Sequence, residues 1–67
     1  MQYKLETEYI ELFKLLKLLD LVDSGAQAKI LIDQGYVKRN GEVETRKRAK
    51  IRNAEIIEIA DVTIEVI

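Results

Sequence analysis

Neither cysteine, histidine nor proline occurs in the 67 residues. The first two absences remove disulfides, thiolate nucleophiles, Ser-His triads and the donor sets of zinc and haem sites. With no proline, no low-complexity tract and no internal repeat, nothing marks a linker. The length is that of one small domain, residues 1–67. A chain of about 60 residues buries only about 60% of the surface it exposes when unfolded, so the core is thin. Long apolar runs are also missing: none approaches the roughly 20 residues of a membrane span. The start, Met-Gln-Tyr-Lys-Leu-Glu, alternates polar and apolar residues and has no signal-peptide stretch. A hydrophobic content of 48% argues for a folded chain. The expectation is a cytoplasmic domain with no membrane partner.

Charge is scarce as a sum and abundant as a pattern. The formal net charge is −1. Between Lys38 and Arg52, however, seven basic residues face only Glu42 and Glu44, a local charge of +5. The rest of the chain sets four lysines against ten acids. A basic stripe on an acidic body is the electrostatic footprint of a phosphate binder. A solvated loop whose cations pair with nearby glutamates would read the same way.

The hydrophobic pattern changes period along the chain. Residues 2–7 alternate, with Tyr3, Leu5 and Thr7 on one side, which predicts a short strand. From Glu8 to Asp20 the apolar positions Ile10, Leu12, Phe13, Leu15, Leu16, Leu18 and Leu19 predict a helix covered on more than one side. Ser24-Gly25-Ala26-Gln27 has capping-box spacing and opens a second helix to about Gln34, burying Ala28, Leu31 and Ile32. Gly35 stands where a helix terminates in a left-handed residue. Tyr36–Arg39, Asn40-Gly41 and Glu42–Thr45 make a β-hairpin signature, since Asn-Gly suits a type I′ turn. Glu55–Ile59 and Val62–Val66 are two more strands, with Val62, Ile64 and Val66 sharing a face. The fold class is therefore α+β: two packed helices on a small, mostly antiparallel sheet.

Within Arg46–Arg52, an extended backbone would send Arg46, Arg48, Lys50 and Arg52 to one side and Lys47, Ala49 and Ile51 to the other. Alternate cations then sit about 6.6–7 Å apart, near the phosphate spacing of an extended strand, provided no turn interrupts the register. The amides of residues 24–27 open a helix N-terminus that suits a phosphate, with Lys29 one turn inside; an ordinary capped helix looks the same. Tyr36, beside Lys38, is a candidate for stacking on an unpaired base or for half-buried packing. Tyr9 and Phe13 read as core. The carboxylate pairs Glu42/Glu44, Glu55/Glu58 and Asp20/Asp23 have no nucleophile or phosphate-binding loop beside them and read as solvated faces. No metal site and no cofactor follow from these residues.

The runs Ser24-Gly25-Ala26-Gln27-Ala28-Lys29, Gly35-Tyr36-Val37-Lys38 and Asn40-Gly41-Glu42-Val43-Glu44-Thr45-Arg46-Lys47-Arg48 resemble the S4 RNA-binding domain, or αL motif. More narrowly, they resemble its short stand-alone bacterial members of YbcJ type. The likeness extends from about Tyr9 to Ile59. It implies two helices on a small sheet and a basic face for structured RNA, such as ribosomal RNA, transfer RNA or the ribosome. Carried over by position, that face comprises Ser24, Lys29, Lys38, Arg46, Lys47, Arg48 and Lys50. Two departures from the family pattern stand out. Arg39 replaces an apolar residue before Asn40-Gly41, adding a cation, and Ala54-Glu55 replaces Gly-Asp, which leaves open whether the tight turn there is kept and how Arg52 is aimed.

The function expected from residues and resemblance together is a non-catalytic RNA-binding module with no small-molecule substrate. The alternative is an interaction adaptor whose basic strip binds an acidic protein. DNA readout is disfavoured, because the second helix offers only Gln27, Lys29 and Gln34 as polar arms for a groove.

Overall fold

The computed structural model describes residues 1–67. Nine elements follow one another: β1 (Gln2–Tyr3), β2 (Ile10–Glu11), α1 (Leu12–Leu18), α2 (Gly25–Asp33), β3 (Val37–Arg39), β4 (Glu42–Val43), β5 (Lys50–Ile51), β6 (Ile56–Ile59) and β7 (Val62–Val66). Five strands form one sheet in the order β1-β7-β6-β3-β4, antiparallel except where β1 lies parallel to β7. Strands β2 and β5 form a separate antiparallel ribbon that pairs Ile10 with Ile51 and Glu11 with Lys50.

Helix α2 begins and ends as its sequence dictates. The Ser24 hydroxyl accepts the Gln27 amide at 3.1 Å. The Gln27 side chain returns the bond one residue before the cap, to the Asp23 amide at 2.6 Å. At the other end of α2, Gly35 takes φ 85°; its amide donates to Ile32 and the Tyr36 amide to Leu31, which closes a Schellman motif. Helix α1 stops in the same way without glycine: Asp20 takes φ 62°, with its amide on Lys17 and the Leu21 amide on Leu16. Asn40 and Gly41 both have positive φ, as a type I′ hairpin turn requires.

The first helix is shorter than its apolar pattern predicts. Ile10 and Glu11 are drawn into the ribbon with β5, so α1 begins at Leu12. Leu12, Leu15 and Leu16, spaced three and four apart, are fully buried, whereas Leu18 is exposed. The predicted N-terminal strand likewise contracts to two paired residues, and Leu31 is half-buried rather than core. The core joins these leucines to Ala28 and Ile32 of α2, to Ala49 and Ile51, and to Val37, Ile57, Ile59, Ile64 and Val66 on the inner face of the sheet.

The turn before β6 survives the loss of glycine. Ala54 adopts φ 74° and its amide donates to Val66, while the Glu55 carboxylate accepts the Arg52 amide at 2.7 Å. A left-handed conformation costs a residue with a Cβ roughly 1–2 kcal/mol. Ala54→Gly is therefore expected to raise stability by about 1 kcal/mol, an upward Tm shift of about 4–8 °C for a domain of this size. Ser24→Ala, which deletes a cap acceptor, is expected to lower stability by about 0.5–2 kcal/mol. Thermal melts of the two variants check both signs.

Candidate nucleic-acid interface

A helix leaves its first backbone amides without internal partners. In α1 two of them are satisfied from the basic segment: Leu12 N donates to the Ala49 carbonyl at 2.9 Å, and Phe13 N to that of Lys47 at 3.1 Å. Glu11, the N-cap residue, supplies no side-chain cap. Residues 47–49 thus cross the N-terminus of α1 with the Lys47 and Ala49 carbonyls turned toward it. Lys47 and Arg48 form a turn, closed by Ala49 N on the Arg46 carbonyl at 3.2 Å. That turn breaks the extended register expected for Arg46–Arg52. Ala49 and Ile51 are buried all the same, because the turn hands over to the β2–β5 ribbon.

Arg39 is the centre of a charged cluster. Its side chain is 23% exposed. Its Nε and Nη2 donate to the two Glu55 carboxylate oxygens at 2.6 and 3.0 Å, Nη1 donates to Glu44 at 3.2 Å, and Nη2 also donates to the Lys50 carbonyl at 3.0 Å. The Asn40 amide group completes the joint, donating to Glu55 at 3.1 Å and accepting from the Ile56 amide at 2.9 Å. Glu44, buried at 7% exposure, is gripped from outside by Arg46, whose Nε, Nη2 and backbone amide all donate to it at 3.0–3.1 Å. Glu44 and Glu55 are therefore not solvated, contrary to the sequence reading. A strand's two-residue period turns Arg39 inward with Val37, where packing brings both carboxylates to it. Glu42 and Glu58 play no part in the cluster.

The expected site residues divide by position. Arg46, Arg48, Lys50 and Arg52 line one open groove of about 580 Å³ around Ala49, with Arg39 also contributing to its wall, and no acid lines it. Arg46 and Arg48 side chains are 75% and 69% exposed. Lys47 is exposed on the turn beside them. Lys29, on α2, joins Arg48 at the Phe13 ring, with Nζ 4.6 Å and Cζ 5.7 Å from the ring centroid. Ser24 caps that same helix. Lys38 does not line the groove: it projects from the opposite face of β3 to Val37 and Arg39, opposite Glu58 and Val43. Tyr36 is exposed, but it borders an apolar cleft with Leu21, Leu31, Ile59, Ala60 and Val62.

Phe13 and Tyr9 are not core. Phe13 is half-buried beneath Lys29 and Arg48, and Tyr9 is 37% exposed with Lys50 Nζ and Arg52 Cζ at 5.1 and 5.6 Å from its centroid. Both lie in the leucine-rich pattern, and no local signal separates them from it. Apart from Lys14 beside Phe13, their cations come from residues 16 to 43 positions away, so the sequence could not have placed them. Two weaker ion pairs border the groove, Arg52–Glu8 at 3.2 Å and Arg48–Glu11 at 3.8 Å.

The bonds from Arg46 hold the Glu44 carboxyl down to about 2, against the opposing effect of burial. Burial pushes Glu55 upward, but the donors Arg39, the Arg52 amide and Asn40 outweigh it, leaving Glu55 below the usual carboxylate range. A depressed folded-state value means stability that is present above the unfolded value of 4.5 and is lost as pH falls through it toward 2. For Glu44 that loss is at most about 3 kcal/mol. Tm followed from pH 6 to 2 is expected to fall mainly below pH 4.5. Glu44→Gln should lower Tm at pH 6 and flatten the acid limb; an unchanged limb would assign the acid sensitivity to other carboxylates.

Comparison with known proteins places the chain as a whole. The family model described as S4 domain matches residues 3–67. YbcJ of Escherichia coli (strain K12) is 48% identical over 59 residues, covering 88% of this chain and 84% of YbcJ, and YbcJ of Shigella flexneri matches equally. The solution structure of E. coli YbcJ, described as revealing an αL motif involved in RNA binding, superposes with a TM-score of 0.75 at 43% identity, covering 98% of this chain and 85% of that one. The 30S ribosomal protein S4e of Thermoplasma acidophilum shares the fold at a TM-score of 0.70 and 22% identity, over 87% of this chain and 31% of its own length. With the two helices, the Asn-Gly hairpin and the basic turn all falling inside the matched residues, the chain belongs to the S4 domain family.

Proposed function

We propose that this protein is a non-catalytic RNA-binding module of the cytoplasm that docks its basic groove on the phosphates of a folded RNA, ribosomal or transfer. The observation that carries the proposal is the convergence of Arg46, Arg48, Lys50 and Arg52 on one open groove without a lining acid. A chain with a net charge of −1 has no general attraction for polyanions, so such a local concentration directs docking to one face. Lys47, exposed on the turn, and Lys29, over the Phe13 ring with Arg48, extend that face.

Preorganisation supports the same reading. The Glu44 carboxylate takes two donors of the Arg46 guanidinium and leaves Nη1 free, so the head is held in place while most of its surface faces water. An arginine fixed in advance loses less side-chain entropy when it binds a phosphate. Arg39 serves from beneath, fixing the wall rather than meeting the ligand, since its donors are engaged by Glu44, Glu55 and the Lys50 carbonyl. Lys38, on the far face of the sheet, is left out of the docking face. The groove is wide and shallow, suited to backbone and shape rather than to base edges.

A salt titration of binding to a folded RNA, with duplex DNA and an acidic protein as controls, tests the proposal. Neutralising about five phosphates gives a slope of log affinity against log salt of roughly −3.5 to −4.5. Arg46→Gln/Arg48→Gln/Lys50→Gln is expected to remove most of the binding and to flatten the slope by about two to three, with far-ultraviolet circular dichroism unchanged. Equal binding to the acidic protein, or a triple variant that binds as tightly as the parent, would overturn the assignment of this face.

A further inference from the structure

Four aromatic residues are available to meet a base: Tyr3, Tyr9, Phe13 and Tyr36. Tyr3 is half-buried in the parallel pair with β7. Phe13 has Lys14, Lys29 and Arg48 within 6 Å of its centroid and packs against the core. Tyr36 is exposed, but its surroundings are apolar and no cation stands over it. Tyr9 differs from all three: it is exposed, and two cations of the basic groove, Lys50 and Arg52, rest over its ring at 5.1 and 5.6 Å.

Its backbone is set from both sides. The Thr7 hydroxyl donates to the Tyr9 carbonyl at 2.8 Å, and the next residue, Ile10, is paired with Ile51. From that fixed point Tyr9 lines an open cleft of about 410 Å³ together with Thr7, Glu8, Ile10, Glu11 and Lys14. Because Glu11 pairs with Lys50 across the ribbon, this cleft adjoins the basic groove.

We infer that Tyr9 is a stacking platform for an unpaired nucleobase whose own phosphate is held by Lys50 and Arg52. This rests on the RNA-binding reading above and names the feature of the RNA that the site selects: a bulged or looped-out nucleotide beside a helix. Base–aromatic stacking is tolerant of sequence, since every base has a π-face. The two long side chains over the ring find in the phosphate a stronger partner than the ring quadrupole, and by moving to it they uncover the face on which the base stacks. Glu8 now pairs with Arg52 at 3.2 Å, but its side chain is 81% exposed, so a phosphate displaces it at little cost.

Two RNA hairpins test the inference, one fully paired and one with a single extruded 2-aminopurine. The parent protein is expected to bind the bulged hairpin about ten-fold tighter and to quench its fluorescence on binding. In Tyr9→Leu the ratio of the two affinities should fall to about one and the quenching should vanish, while Tyr9→Phe, which keeps the ring, should retain both. A parent that shows no preference and no quenching, or a leucine variant that keeps the ratio, would overturn the stacking site even with the salt slope intact. Failure of the parent to bind either hairpin would overturn the RNA reading itself and this site with it. Quenching by the parent needs no variant, so it decides the question even where Tyr9→Leu fails to fold.

Discussion

The guanidinium of Arg39 joins parts of the chain that local structure leaves separate. It sits on β3, holds Glu55 from the turn before β6, holds Glu44 beyond β4 and donates to the Lys50 carbonyl on β5. Each partner comes from a different stretch of the chain. Arg39 can do this because a guanidinium offers five donors in one plane, matching a carboxylate with two and leaving others for a second acid and a carbonyl. A lysine in its place would present a point charge without the fork. Burying Glu44 and Glu55 is tolerable because each oxygen has donors; no buried side-chain polar atom is left without a partner.

From that joint the outward face follows. With Glu44 and Glu55 satisfied from beneath, the groove retains its positive character, and Arg46 is pinned at the rim rather than folded down. The segment that carries the cations is held by backbone bonds to the first amides of α1, so its side chains are free to point away. A helix N-terminus is electropositive, and accepting carbonyls there stabilises the crossing without spending any of the cations. The basic surface thus rests on two neutralising arrangements below it, one ionic and one made of peptide groups.

The aromatic residues add a second layer. Phe13 gathers Lys29 from α2 and Arg48 from the turn, bringing into one place charges that are 19 residues apart in sequence. Tyr9 does the same for Lys50 and Arg52 at the other end of the groove. Cation–ring contacts at partly exposed sites contribute about 0.5–1 kcal/mol each, enough to bias long side chains toward one arrangement without locking them. Such a surface is ordered without being rigid.

Much of this protein was legible in its sequence. The Ser24 cap, the Gly35 stop, the Asn40-Gly41 turn and the strands at residues 56–59 and 62–66 depend on neighbours along the chain, where spacing and residue type carry the physics. The charge segregation that marks one basic stretch is equally a property of order along the chain. Tertiary structure decided the rest. It took Ile10 and Glu11 from the helix for a ribbon with β5, kept the turn at Ala54 by imposing a positive φ on an alanine, and sorted the cations. Arg39 went inside, Lys38 to the far face, and Arg46, Arg48, Lys50 and Arg52 to a common groove. The physical reason is that the worth of a charge depends on what lies within a few ångströms of it and on how much water it keeps, and the order of residues fixes neither until the chain has packed.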